Sequence, residues 1–320
     1  MNPLKRRVGS VNYSSSGGTS TIELPRNYNY RKLFCRIAGS NIVTGGSAAG
    51  APHPYGAYRA ISRIELIANG RDTIWSIAPE QIAIMNEIDY GAIPVFLNPT
   101  NDAAATYPFN ASFIIDLGLV RSVRPIDTLF PAAGLATLDL KITWGAGADM
   151  FTGSVDFASA AIQTTTELVV DSFEEIGQLP NSVGVNKLYT IDRVINAAST
   201  NFQIQVPVGN TYRGFLLHTK IDEVPVDTVL DGVRVESGTQ VFQNWLANSP
   251  ILDENKLVYG LPASLVGYYF LDWLDSDGFL SEILDARRLS GLDLVLNVAK
   301  PAGTTIKVLV NPQEIILPAR

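Results

Sequence analysis

Histidine, cysteine and charge are all scarce in this chain, and each shortage removes a class of function. The two histidines, His53 and His218, sit in unrelated contexts, so they supply no His-x-His pair, zinc site or cupin-type metal centre. The single Cys35 rules out an intramolecular disulfide framework, and its place at an alternating strand position predicts a core thiol rather than a nucleophile. Only 17% of residues are charged, and the net charge of -7 divides as 13 basic against 16 acidic residues in 1–180 and 11 against 15 in 181–320. Neither half is a polycation, so sequence-specific nucleic-acid binding is not expected. So low a charge fraction suggests that much of the surface is committed to partners. No apolar run approaches the ~18 residues of a membrane span. The best candidate, Leu265 to Leu271, is interrupted by Gly267. Lys5, Arg6 and Arg7 are followed by Val8-Gly9-Ser10 and a Ser/Gly run with no apolar segment, so no signal peptide is expected.

Catalytic signatures are equally sparse. There is no Gly-Lys-Ser/Thr phosphate loop, no Gly-x-Ser-x-Gly elbow and no cluster of Lys and Arg with aromatics. Glycosidase chemistry needs two carboxylates in one cleft. The pairs Glu174-Glu175 and Asp222-Glu223, read as neighbours on strands, would point to opposite faces. Asp272 to Gly278 suggests a calcium loop but fails on spacing. With Gly278 in the sixth place, the first and twelfth would be Trp273 and Leu284, neither of them a ligand. A turn leading into a helix over Leu280 to Arg287 is the better account. His218, on an alternating strand from Phe215 to Ile221, reads as structural, and Arg287-Arg288 as a solvated or interface ion-pair partner. No catalytic residue, metal or cofactor is expected.

What the chain has in abundance is β pattern, and it has it twice. Ile22-Glu23-Leu24-Pro25 leads after four residues to Tyr30-Arg31, and Ile204-Gln205-Val206-Pro207 leads after four residues to Tyr212-Arg213, at an offset of 182. In the same order, Asn86-Glu87-Ile88-Asp89-Tyr90-Gly91 is echoed by Asn255-Lys256-Leu257-Val258-Tyr259-Gly260. A duplicated β domain follows. Residues 1–19, with Lys5, Arg6, Arg7 and then Ser14 to Gly18, read as a flexible arm, either a frayed end or one ordered by a neighbour or an anionic surface. The first domain then covers 20–179 and the second 180–320, with Gln178 to Ser182 as the crossover. Asn69-Gly70 between alternating runs predicts a type I′ hairpin, and Ser237-Gly238 makes a similar one. Each hairpin leads into a short helix. One runs from Pro79 to Tyr90; the other spans roughly Asn244 to Tyr259 and is interrupted by Pro250. Many short strands and almost no long helix predict an all-β fold of two tandem eight-stranded jelly-roll β-barrels with short helices.

The duplicated strand-Pro-turn-Tyr-Arg opening, the Asn69-Gly70 hairpin leading to Trp75 and a short helix, and the recurrence of both resemble the double jelly-roll major capsid proteins. These are the proteins of tailless icosahedral bacteriophages with an internal membrane, of the type found in lipid-containing phages of Flavobacterium. The resemblance covers about residues 20–318 and is one of architecture. The chain departs from larger members in lacking an insertion long enough for a tall tower. The resemblance implies a structural protein without an active site, a homotrimer whose six jelly rolls form a pseudo-hexagonal capsomer. Its partners would be neighbouring capsomers, minor capsid and penton proteins, and the surface of the internal lipid membrane. Lys5, Arg6 and Arg7 would contact that membrane or a neighbour, and the loops Thr44 to Ala51 and Ala146 to Ala161 would be outer or contact loops. The location implied is the virion, with the host cytoplasm before assembly. The alternative is a tandem β-sandwich carbohydrate-binding or adhesin module. It predicts a flat row of exposed aromatics, whereas Trp75, Trp144, Trp245 and Trp273 each lie in apolar stretches. A β-fold hydrolase would need the clustered acids or histidines that are missing.

Overall fold

The computed structural model describes residues 2–44, 51–99, 104–152, 160–177, 184–274, 278–303 and 305–317. The expected crossover at Gln178 to Ser182, the central parts of both small-residue loops, and Asp275 to Asp277 lie outside the described residues. Two compact units emerge. The first is Met1–Glu87, Ile93–Val120 and Ile126–Val183; the second is Ile88–Ala92, Arg121–Pro125 and Gly184–Arg320. The division falls at residue 183 where the sequence reading put it at 179, and two short segments from the first half go with the second unit.

In the first unit the long elements are β1 (Asn2–Asn12), β2 (Thr19–Glu23), β3 (Asn29–Val43), β4 (Ile61–Ala68), β5 (Asp72–Ile77), α1 (Pro79–Tyr90), β6 (Ala105–Asp116), β7 (Leu138–Trp144) and β8 (Glu167–Ile176). One antiparallel sheet runs β1-β8-β3-β6 and the other β5-β4-β7-β2. Alternation sets which side chains turn inward. Leu33, Cys35 and Ile37 of β3 and Leu138, Leu140, Ile142 and Trp144 of β7 are buried, with less buried residues between them. Between β4 and β5, Asn69 and Gly70 take φ of 53° and 72°, the pair of positive values that a type I′ turn needs.

The second unit contains β9 (Val185–Tyr189), β10 (Ile191–Val194), β11 (Ser199–Val206), β12 (Thr211–Ile221), β13 (Leu230–Ser237), β14 (Gln240–Trp245), α2 (Ser249–Tyr259), β15 (Tyr268–Asp272), β16 (Leu292–Val298) and β17 (Ile306–Ile316). β9 and β10 pair along β17, β17 pairs with β12 and β12 with β15, while the other sheet runs β11-β16-β13-β14. Element by element this is the order of the first unit, with β9 and β10 together in the place of β1. Both units are jelly rolls. The core of the second is filled by Ile204, Val206, Tyr212, Phe215, Leu217, Val233, Val235, Leu294 and Leu296 among others.

The sequence echoes correspond to repeated hydrogen bonds. The Tyr30 hydroxyl donates to the Pro25 carbonyl at 2.5 Å, and the Tyr212 hydroxyl donates to the Pro207 carbonyl at 2.5 Å, so each tyrosine closes the turn that its own proline begins. Arg31 and Arg213 are the extra residues of equivalent β-bulges. Pairing jumps from Tyr30 to Lys32 on β3 and from Tyr212 to Gly214 on β12, opposite Glu174 and Glu314. Asn86 and Asn255 do the same task in the two helices. Asn86 donates to the Ile114 carbonyl at 2.9 Å and accepts from its N–H at 2.7 Å. Asn255 brackets Phe270 in the same way, both at 2.8 Å. Each side chain therefore satisfies both backbone groups of a strand residue, half-buried Ile114 or buried Phe270, that has no strand partner on that side. Asn86→Ala and Asn255→Ala are each expected to cost about 2–4 kcal/mol, because each leaves a buried donor and a buried acceptor unsatisfied. Denaturant titration of the two variants is the check, and a loss below that range in either would mean water replaces the side chain there.

Several expectations are corrected. Residues 2–12 are not a flexible arm: they form the edge strand β1, registered along β8 from Asn2 opposite Ile176 to Asn12 opposite Glu167. Pro250 starts α2 rather than interrupting it, and Asn244 and Trp245 belong to β14, because a proline in the first turn costs no helical hydrogen bond. No helix forms over Leu280 to Arg287. Leu284 is buried and pairs with Tyr212 of β12, and the Asp285 carboxylate takes the Arg287 N–H and guanidinium. Asp222 and Glu223 are not strand residues. They form a tight turn at φ of 48° and 70°, between β12 and the short strand Val224–Pro225.

Candidate interaction site

No group of three or more metal-ligating His, Cys, Asp or Glu occurs among the described residues. His53 is buried and its Nδ1 accepts from the Tyr55 N–H at 3.0 Å; His218 is buried and stacked on Tyr268 with ring centroids 4.1 Å apart. Cys35 is enclosed in the first core, where burial pushes its thiol far above the ordinary range. Glu174 and Glu175 do part to opposite faces. Glu174 is buried against Arg6, and Glu175 lies 3.9 Å from Arg31. Trp75 and Trp144 are buried and Trp245 and Trp273 half-buried, so the four form no exposed aromatic platform.

The three basic residues singled out near the N-terminus do not act as one cationic patch. Alternation along β1 turns Lys5 and Arg7 outward and Arg6 inward. Arg6 meets Glu174 in a two-pronged ion pair, Nε to Oε1 at 3.0 Å and Nη2 to Oε2 at 2.9 Å. Lys5 lies 4.9 Å from the centre of the Phe173 ring, and Arg7 is 3.8 Å from Asp171. The arm reading missed these contacts because their acidic and aromatic partners are on the last strand of the unit.

In the second unit the bulge residue Arg213 is fully buried. Its Nη2 lies 2.7 Å from Asp89 and 3.5 Å from Asp272, and its guanidinium is 5.2 Å from the Phe270 ring centre. Burial alone would lower its pKa, but the two carboxylates outweigh that and raise it, so it stays charged. The Tyr259 hydroxyl donates to Asp272 at 2.9 Å; burial, then the Asp272 charge, push its pKa up. Arg121 stacks 4.7 Å from the Tyr259 ring centre and donates to the carbonyls of Ile88 and Val258 at 3.3 Å each. It thus places a cation where both helices end, at the negative pole of each backbone dipole. The group carries charge without a nucleophile or an acid-base pair. Its chemistry is fixation of a surface.

That surface combines a polar pocket with exposed apolar side chains. Asp89, Tyr90, Gly91, Arg121, Val258, Tyr259 and Leu274 line one open pocket, and exposed hydrophobic residues surround it: Tyr90, Val123, Leu257, Val258 and Phe279. The Val123 N–H donates to the Gly278 carbonyl at 3.0 Å, which sets Val123 beside Phe279. The inner face of α2 is Ile251, Asn255 and Tyr259, one residue per turn; the outer face, with Asp253, Glu254, Lys256, Leu257 and Val258, is open. Sequence reasoning passed over this face, because its apolar residues continue the pattern of α1, where they are core.

No family model matches the chain, and no curated protein matches it. Solved structures do. The chain is similar to the STIV MCP, the coat protein of Sulfolobus turreted icosahedral virus, with a TM-score of 0.77 at 15% identity over 99% of this chain and 98% of that one. It is similar to the major capsid protein P2 of bacteriophage PM2, with a TM-score of 0.68 at 14% identity over 100% and 99% of the two chains. The PBCV-1 virus capsid gives a TM-score of 0.65 at 12% identity, over 99% and 94%. At such identities the likeness is one of fold, and from end to end that fold is the double jelly roll of the viral major capsid proteins.

Proposed function

We propose that this chain is a major capsid protein, a structural subunit without a catalytic role. The observation that carries the proposal is the extent of the match. Both jelly rolls align at once, and 98% to 99% of the STIV and PM2 proteins is covered. The sparse charge and the open apolar face of the second unit suit a protein that assembles. Three copies make a trimer of six jelly rolls, a pseudo-hexagonal capsomer that tiles an icosahedral virion shell beside minor capsid and penton proteins. Before assembly the subunit resides in the host cytoplasm. The shell encloses a membrane, and Lys5 and Arg7, the outward basic residues of β1, face it or a neighbouring subunit. Each would gain about 1 kcal/mol near anionic lipid, enough to orient a subunit that is held by its neighbours. The tandem carbohydrate-binding module is disfavoured by the burial of Trp75 and Trp144.

Light scattering coupled to size exclusion tests the proposal. The expected particle has three times the 34.6 kDa mass of the chain. A monodisperse monomer that binds glycans would overturn it in favour of the module.

A further inference from the structure

Four glutamates are buried among the described residues: Glu80, Glu87, Glu174 and Glu314. Three of them have a cation close by. Arg59 lies 3.1 Å from Glu80, Arg6 2.9 Å from Glu174 and Lys187 3.6 Å from Glu314. Glu87, in the last turns of α1, is only 8% exposed, yet its carboxylate takes part in no ion pair or hydrogen bond among the described residues. The titratable groups that face it are phenols, Tyr58 from the 3₁₀ turn Gly56–Ala60 and Tyr55 just before that turn. Burial and then the Glu87 charge raise the pKa of Tyr55, and burial, Tyr55 and Glu87 raise that of Tyr58, so both rings are neutral. The Tyr58 hydroxyl is committed to the carbonyls of Pro94 and Ser112, at 3.0 and 3.2 Å, and has no proton for Glu87. Elsewhere around α1, Glu80 holds Arg59, and Asp116 of β6 faces the Asn86 amide at 3.4 Å. The repeat shows that this helical position does not demand an inward charge. Asn86 and Asn255 put α1 and α2 in register, and the counterpart of Glu87 is Lys256, which is exposed.

We propose that Glu87 is a proton-binding site through which acidification strengthens the packing around α1 and ionisation weakens it. A carboxylate so enclosed reaches neutrality through a cation or through a proton, and among the described residues no cation pairs with it. Burial accordingly raises its pKa, and no neighbouring charge adds to or opposes that shift. The folded chain therefore holds this proton more tightly than the unfolded chain does. Below the ordinary value of 4.5 both states are protonated, and the site costs nothing. As the pH rises past it the unfolded chain ionises first, and stability falls until the folded Glu87 has ionised as well. The paired Glu174 would act in the opposite sense, since its cation favours the charged form. The site belongs to the fold of a single chain and is the same whatever that chain assembles into.

Glu87→Gln, which fixes the neutral form, is the test, made in the full chain and compared with wild type in thermal melts from about pH 4 to about pH 8. The difference in melting temperature is expected to move in favour of the variant as the pH rises, by about 3–5 °C for each tenfold difference in proton affinity between the folded and unfolded chains. The movement should begin near pH 4.5 and level off once Glu87 is ionised in wild type. A difference that stays constant with pH overturns the proposal, whatever its size. Infrared spectra of the wild-type chain read the proton directly. One protonated-carboxyl band is expected to outlast those of the other side chains as the pH is raised, and to be missing from Glu87→Gln. A band that persists in the variant overturns the assignment to Glu87. If no band outlasts the rest in wild type, the proposal fails even where the variant does not fold.

Discussion

A chain lacking residues 2–12 is expected to lose most of its stability and to aggregate on warming well below the melting temperature of the intact protein. β1 is registered along the whole of β8, so its removal turns β8 into a long unpaired edge. The larger cost is electrostatic. The Glu174 side chain has no solvent exposure and is held by both prongs of Arg6, with the Ser172 hydroxyl donating to the same carboxylate at 2.5 Å. Deleting β1 removes that cation from the carboxylate, and breaking a buried pair of this kind costs up to about 3–5 kcal/mol. Against a total stability of about 5–15 kcal/mol for a typical domain, the deletion takes a large share before any strand pairing is counted. Circular dichroism melts of the intact and truncated chains make the comparison. An unchanged melting temperature would restore the reading of this segment as a dispensable arm.

Arg213→Ala is expected to destabilise the second unit by about 3–5 kcal/mol, because it strands Asp89 and Asp272 in a buried site without their cation. The internal repeat provides the control. Arg31 holds the same bulge position in the first unit, but its side chain is 53% exposed and 3.9 Å from Glu175, so Arg31→Ala should cost no more than about 1 kcal/mol. Urea titrations of both variants measure the contrast. Equal losses would mean that the arginine is needed for the bulge itself rather than for the buried carboxylates. A lysine at 213 should recover only part of the loss, since a single ammonium cannot reproduce the planar fork of donors.

The sequence by itself determined the features whose chemistry is local. Pro25 and Pro207 end strands because proline cannot donate to a ladder. Tyr30 and Tyr212 reach back five residues to those prolines, and Asn69-Gly70 turns because both residues tolerate positive φ. Such signals recur with a duplicated fold, so the duplication and the β class could be read directly, and the architecture followed. Only the tertiary structure decided what each repeat does with the same motif. Lys5, Arg6 and Arg7 look like a solvated arm until Glu174, 168 residues beyond Arg6, is brought alongside. Arg31 and Arg213 stand in one motif, yet one is half in solvent and the other is enclosed by carboxylates from distant segments. Ile88 and Leu257 occupy one helical position and differ only in whether anything covers them. Burial is a property of what the folded chain brings together, and an apolar residue reads the same in sequence whether its neighbours come from its own chain or from another.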